Sequence, residues 1–192
     1  MIPLVLTSIV GVAFIVERGL ALRWDKVIPP RVEEAAEHCS AERLQDLKVI
    51  CQAEPSTFSR LLLVAQDHLS RPREETVDAI QTHARHEVLQ LERGLVVLEI
   101  VVGIAPLLGL VGAIHGLIRL FAHLGEVGLA DNTMLARGIS EALNTTLTGL
   151  VIAIPSLIAW SYYNKKIETL AVEMETLCDK FLRRQYRERK RS

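Results

Sequence analysis

The sequence has few cysteines, no surplus of charge of one sign, and no run of alternating apolar and polar residues that would mark a half-buried strand. Lysine and arginine number 22 against 23 aspartate and glutamate, which excludes a large basic surface for nucleic acid. Cys39, Cys51 and Cys178 form no CxxC pair, so a disulfide framework is not expected and reduced, structural thiols are. No internal repeat of about 20 to 50 residues is visible, which sets aside solenoids and propellers.

Charge is also missing locally, and this is more informative. Charged residues crowd into Glu17 to Glu99 and the end of the chain, leaving nearly charge-free windows at Met1 to Val16, Ile100 to Ile118 and Ala142 to Asn164. The second and third are long enough to cross a hydrocarbon core of about 30 Å, which takes roughly 20 helical residues. The first is short. A cleaved signal peptide would want a positive leader and a small-x-small cleavage site, and "MIPLVLTSIVGVAFIVERG" has neither, so a retained span is expected. Arg18, Arg23, Lys26 and Arg31 follow the first window, and Lys165, Lys166 and a run of basic residues from Lys180 to Arg191 follow the third. Between the second and third windows only Arg119 and Arg137 are basic. The positive-inside rule therefore places the N-terminus and the short loop outside, with the long loop and the tail in the cytoplasm.

The long loop reads as helical. Val77, Ile80, Ala84, Val88, Leu91, Leu95 and Leu98 recur at intervals of three and four, a stripe that predicts one helix running unbroken into the second span. Ile167, Leu170, Met174, Leu177, Cys178 and Phe181 form a similar stripe after the third span, and the two stripes are expected to bury each other. Breaks are expected near Pro29-Pro30, Pro55 and Pro72, where proline withholds a backbone donor.

The third window has a polar seam. At about 100° per residue, Glu141, Asn144, Thr145 and Thr148 fall on one helical face, followed there by Ile152, Pro155 and Ser156. Leu, Ile and Val residues each favour insertion by roughly 0.3 to 0.6 kcal/mol, while an acidic residue near the centre costs about 3 kcal/mol. Glu141 is therefore expected to face a bundle interior or a wet cavity, where a carboxylate with hydroxyls below it makes a polar path for protons or cations. The plainer reading puts Glu141 in the headgroup layer, with the threonines bonded to their own helix backbone. In the second window Ala105, Gly109, Gly112, Ala113 and Gly116 form a small-residue face on which another helix can approach closely. His115 lies about 120° from Gly109, the one ionisable group mid-span, and reads as a neutral, hydrogen-bonded side chain or a proton-relay member. His83, His86 and Glu87 share a helical face but lack a further ligand set, so neither a metal nor a cofactor is expected.

The motifs "LERGL" (Leu91 to Leu95), "IAPLLGLVG" (Ile104 to Gly112), "GISEAL" (Gly138 to Leu143) and T-x-x-GL-x-x-AIP (Thr146 to Pro155) resemble the MotA/TolQ/ExbB proton-channel family, and within it the ExbB/TolQ branch. The resemblance runs from about Ile2 to Lys166. It implies an inner-membrane subunit, not an enzyme, which forms a homopentamer around an ExbD/TolR-like single-span protein bearing a membrane aspartate. Proton flow would then do work on an envelope partner, for instance a TonB-like protein. The family glutamate matches Glu141 and the family's third-span threonine matches Thr146, while its second-span threonine falls at Ala113, where the hydroxyl is absent. Thr146 lies about 140° from Glu141 on the wheel, whereas the seam favours Thr145 and Thr148.

The expected fold is an all-α membrane protein with three transmembrane helices, of which helices 2 and 3 are long and extend into the cytoplasm, packed as a homo-oligomeric ring. Its segments are transmembrane helix 1 (1–20), a cytoplasmic helical loop (21–94), transmembrane helix 2 (95–122), a short periplasmic loop (123–134), transmembrane helix 3 (135–164) and a basic helical tail (165–192). The proton pathway would comprise Glu141, Thr146, Thr145, Asn144 and Thr148, and helix packing would use Gly109, Gly112, Ala113, Gly116 and Pro155. Anionic lipids are expected at the tail. The alternatives are a non-conducting scaffold of the same architecture, which alanine at position 113 in place of the family threonine favours, and a MotA-like flagellar stator subunit, which the short first half disfavours.

Overall fold

A computed structural model describes residues 2–40, 43–127 and 132–189. Part of the expected short loop and the last basic residues, Lys190 and Arg191, lie outside that set. The described residues form eight helices and no strand: α1 (Ile2–Ala21), α2 (Trp24–Val27), α3 (Pro30–Glu37), α4 (Leu44–Ala53), α5 (Thr57–His68), α6 (Arg73–Glu92), α7 (Leu95–Val127) and α8 (Asn132–Arg189). Three of them, α1, α7 and α8, are long and apolar enough to cross a membrane. Contacts divide the chain into two compact units, Met1–Arg18 with Gly94–Tyr162, and Gly19–Arg93 with Tyr163–Ser192. Helix α8, 58 residues long, contributes to both.

The breaks fall at the prolines. Pro30 opens α3 at its first turn, where a missing N–H costs nothing. Pro55 follows the end of α4, and Ser56 then caps α5 by accepting the Ser59 N–H at 3.0 Å. Pro72 precedes α6. In α7 and α8, by contrast, Pro106 and Pro155 lie inside the helix; membrane helices tolerate this because neighbouring groups take up the freed carbonyls.

One expectation is corrected. The stripe beginning at Val77 does not run in one helix into the second span, because α6 stops at Glu92 and α7 starts at Leu95. The interruption contains Gly94, over which the end of the Arg18 side chain lies so closely that a side chain added there would have to push it aside. Glycine is also a weak helix former.

The second unit has a conventional side-chain core. Val32, Leu47, Phe58, Leu61, Leu62 and Ile80 are buried with Leu170, Met174, Leu177 and Phe181 from α8. The partner of the α8 stripe is thus mainly α3–α5 and only partly α6, whose Val77, Ala84 and Leu91 are half-buried. The reason is supply: α5 alone brings Phe58, Leu61 and Leu62, each worth about 1.5 to 3 kcal/mol when fully buried. Arg60 joins α5 to α6 through a two-pronged pair with Glu87, donating from Nε at 2.7 Å and from Nη2 at 2.5 Å. The end of α8 then clasps the C-termini of two other helices. Gln185 donates to the Cys39 carbonyl just beyond α3 at 3.0 Å, and Arg184 to the carbonyl of Glu37, the last residue of α3. Tyr186 donates to the Arg71 carbonyl at 2.7 Å and Arg189 to the Leu69 carbonyl at 2.8 Å beyond α5. Cations at helix C-termini also meet the negative end of the helix dipole. With Arg183 donating to Asp179 at 2.6 Å, part of the basic tail expected at lipid is engaged within the unit.

Candidate functional site

In the first unit α7 and α8 pack antiparallel through small residues. A side chain added at Gly109 would come within 3.0 Å of the Thr145 carbonyl oxygen, and one at Gly149 within 2.6 Å of the Ala105 carbonyl oxygen. The two backbones therefore touch, which glycine alone permits. Gly112 meets the Thr145 methyl and Gly116 meets Ala142, so the register continues over two further turns. Ala105 and Ala113 are buried in this unit. Helix α1 joins at Gly11, where an added side chain would lie 3.3 Å from both the Ser156 hydroxyl and Val101.

This packing splits the polar seam. Thr145 and Thr146 turn toward α7, with the Thr145 methyl over Gly112 and the Thr146 backbone over Gly109. Glu141 and Asn144 are exposed on the protomer, and Thr148 is half-buried. The Thr145 hydroxyl donates to the Glu141 carbonyl at 2.9 Å and the Thr148 hydroxyl to the Asn144 carbonyl at 2.8 Å. Both hydroxyls thus bond their own helix, the plainer of the two arrangements expected of them, yet each retains acceptor capacity. The Glu141 carboxylate stands apart from them on the protomer surface. Further along the same helix, Leu143, Leu147, Val151 and Ile154 are 65%, 57%, 60% and 56% exposed, an apolar surface that water does not suit and that lipid or other subunits would cover.

Of the expected packing residues, Gly109 and Ala113 are buried and Gly112 and Gly116 half-buried. Pro155 is exposed in the protomer, and the adjacent Ser156, 2% exposed, faces Gly11 of α1. The sequence reading missed the matching face of α8. Gly138, Ala142, Thr145, Gly149, Ala153 and Ser156 recur at intervals of three and four, the same signal that marked α7, hidden there by attention to the polar residues. Among the other polar candidates, Glu87 is held by Arg60. His83 donates to the Ala79 carbonyl at 3.0 Å, and His86 accepts from Gln90 at 3.2 Å.

The three cysteines lie in the core of the second unit and are free. Burial pushes all three thiols up, to about 11 for Cys51 and about 12 for Cys178. Nucleophilic or metal-binding work needs the thiolate, so at neutral pH these are packing groups.

Residues 41–176 match the model of the MotA/TolQ/ExbB proton channel family. A Synechocystis protein named ExbB-like 1 is 35% identical over 83% of this chain and 65% of its own length. The Tol-Pal system protein TolQ of Haemophilus influenzae is 30% identical over 65% of this chain and 54% of its own. The biopolymer transport protein ExbB of Xanthomonas campestris pv. campestris is 31% identical over 56% and 43% respectively. The chain therefore spans between about two fifths and two thirds of the length of these curated relatives. It belongs to the MotA/TolQ/ExbB proton channel family, in the ExbB/TolQ branch.

Proposed function

We propose that this member of the ExbB/TolQ branch is a proton-channel motor subunit of a bacterial inner membrane, with its N-terminus in the periplasm and its tail in the cytoplasm. Working with an ExbD/TolR-like single-span protein inside a homopentameric ring, it would couple the proton motive force to transport or mechanical work at the outer membrane through a TonB-like envelope protein. The observation that carries this reading is Glu141: an acidic side chain exposed on the protomer, in the family's G-I-x-E-A-L setting, on a spanning helix whose large apolar residues are exposed as well. On an isolated protomer within the bilayer that carboxylate would meet lipid, at a cost that reaches about 3 kcal/mol at the bilayer centre. A ring that turns it toward a polar lumen removes the penalty and provides a binding station for protons.

The test is flux through purified complex, with its co-purifying single-span protein, in vesicles carrying a pH gradient. Wild type is expected to conduct, and Glu141→Gln to lose conduction while eluting at the same size. Mass spectrometry is expected to find an aspartate in the span of the co-purified protein. A second reading, the non-conducting scaffold, is favoured by Ala113 and by the Thr145 and Thr148 hydroxyls, which are bonded to their own helix. Absence of flux in wild type and variant alike would decide for it.

A further inference from the structure

The sequence leaves His115 either a neutral, hydrogen-bonded side chain or a proton-relay member, and its surroundings bear on the choice. It is exposed on the protomer, and neither its side chain nor that of Glu141 has a hydrogen-bond or ion-pair partner among the described residues. The register that sets Gly116 beside Ala142 and Gly112 beside Thr145 puts His115 level with Leu143, about two residues, or roughly 3 Å of helical rise, from Glu141. Each of the two side chains sits roughly 90° to 100° around its helix from the face that meets the other helix. Because the helices are antiparallel, these offsets point to the same side of the pair. An imidazole and a carboxylate thus share one face of the α7–α8 hairpin at one depth. Packed helix axes are about 8 to 10 Å apart, a span that the two side chains can bridge directly or through one water.

The other charged groups on that face have a definite order. Arg119 on α7 and Arg137 on α8 each lie one turn nearer the α7–α8 connection than His115 and Glu141 respectively. Helix α1 contributes no ionisable side chain between Ile2 and Val16. Glu141 therefore has guanidinium groups toward the connection and the imidazole on its other side. An intramembrane ionisable residue is retained at a cost, and the default reading is function with a named partner.

We infer that His115 is a second proton-carrying group of the channel, working with Glu141; the inference rests on the channel reading above. A neutral imidazole nitrogen accepts the proton of the Glu141 carboxyl, leaving carboxylate and imidazolium. The imidazolium then releases that proton to the next acceptor, a water or a carboxylate of the partner protein, and returns to neutral. No bond to carbon changes and no electrons are transferred.

The experiment compares proton flux in vesicles between about pH 5 and 8, the range in which imidazoles titrate, for the complex carrying wild type, Glu141→Gln, His115→Gln or His115→Phe. Glutamine keeps a hydrogen-bonding group and phenylalanine keeps the ring volume, but neither carries a proton. Both His115 variants are expected to lose flux at least about tenfold, in the manner of a lost acid–base group, and to flatten the pH profile, with size-exclusion elution unchanged. Full flux in His115→Phe would assign the histidine to packing, and full flux in His115→Gln would assign it to hydrogen bonding; either overturns the inference, as does failure of both variants to assemble. In each case Glu141→Gln still tests the channel reading separately. If wild type itself does not conduct, both readings fall together.

Discussion

The two units of this chain are built from the same element and held together in opposite ways. In the second unit, large side chains fill a common core: Phe58, Leu61, Leu62, Met174 and Phe181 are each no more than 2% exposed. Helix ends there are capped by side chains, and Arg60 and Glu87 are paired. In the first unit the α7–α8 contact is made by the absence of side chains, at Gly109, Gly112 and Gly149, while many large residues are exposed and only a few, such as Leu95, Leu98 and Val101, are buried. The difference follows from the solvent. In water, burying large apolar groups drives association; in lipid it does not, and close backbone approach with its dispersion contacts takes over. The second unit is complete within one chain, whereas the first leaves an apolar surface and an ionisable face to be covered by something else.

The largest predicted effects test that division. Phe58→Ala removes a fully buried ring from the second unit and is expected to cost about 3 to 5 kcal/mol, seen as early thermal unfolding or proteolysis between α2 and α6. The isolated membrane helices should keep their helicity, and loss of both together would erase the distinction. Next is a paired substitution in the first unit. Gly149→Ala drives a methyl to within 2.6 Å of the Ala105 carbonyl oxygen, and forced separation of the backbones should cost about 1 to 3 kcal/mol, as overpacking does. Gly103→Ala meets nothing within 4 Å, and the better helix propensity of alanine should make it neutral or slightly stabilising. Detergent resistance of the assembled complex would read out the contrast, and equal effects at the two positions would refute the glycine contact.

That same pair shows what could be read from the sequence. Charge-free windows named the three spanning helices because length and apolarity are physical requirements of the bilayer. Prolines marked the breaks of the second unit because their constraint is local. The Arg93-Gly94 interruption was not visible, since one glycine inside an apolar stripe is compatible with a continuous helix, and the Arg18 side chain that lies over Gly94 comes from far along the chain. The seam posed a different difficulty. Glu141, Asn144, Thr145 and Thr148 share a face on an isolated helix, but where the face divides is settled only by the position of α7, which takes Thr145 inward and leaves Glu141 out. Depth could not be read at all: that His115 and Glu141 lie within about one helical turn of each other in depth requires the antiparallel register, which no single-helix pattern contains.

A pH effect separates the units further. The thiols of Cys51 and Cys178 titrate higher in the folded chain than the ordinary thiol value of 9.0, because burial disfavours their thiolates. Above about pH 9 the unfolded state therefore loses protons that the folded state keeps, and stability falls as pH rises toward the folded values of about 11 and about 12. Below pH 9 the contribution is fully present. Thermal melts of the second unit should decline over this alkaline window, and Cys178→Ala, despite its own packing cost, should show a shallower decline. An identical slope in the variant would remove burial of the thiol as the cause.

The smallest effect concerns the clasp at the end of α8. The Tyr186 hydroxyl donates to the Arg71 carbonyl at 2.7 Å and lies 2.9 Å from the Thr76 hydroxyl, which itself reaches the His68 carbonyl at 2.8 Å. Tyr186→Phe keeps the ring, which packs at the edge of the core, and removes only the oxygen. Since water can reach this site and replace the lost partner, the loss should be near the low end of the 0.5 to 1.5 kcal/mol typical of one hydrogen bond. Amide exchange is the sensitive measurement: faster exchange confined to the last turns of α8 and the α5–α6 turn would show a local fastening, because local opening samples only the contacts it breaks. Faster exchange throughout α3 to α6 would instead make the clasp part of the cooperative core, and the second unit would then depend on its polar seal as much as on its apolar interior.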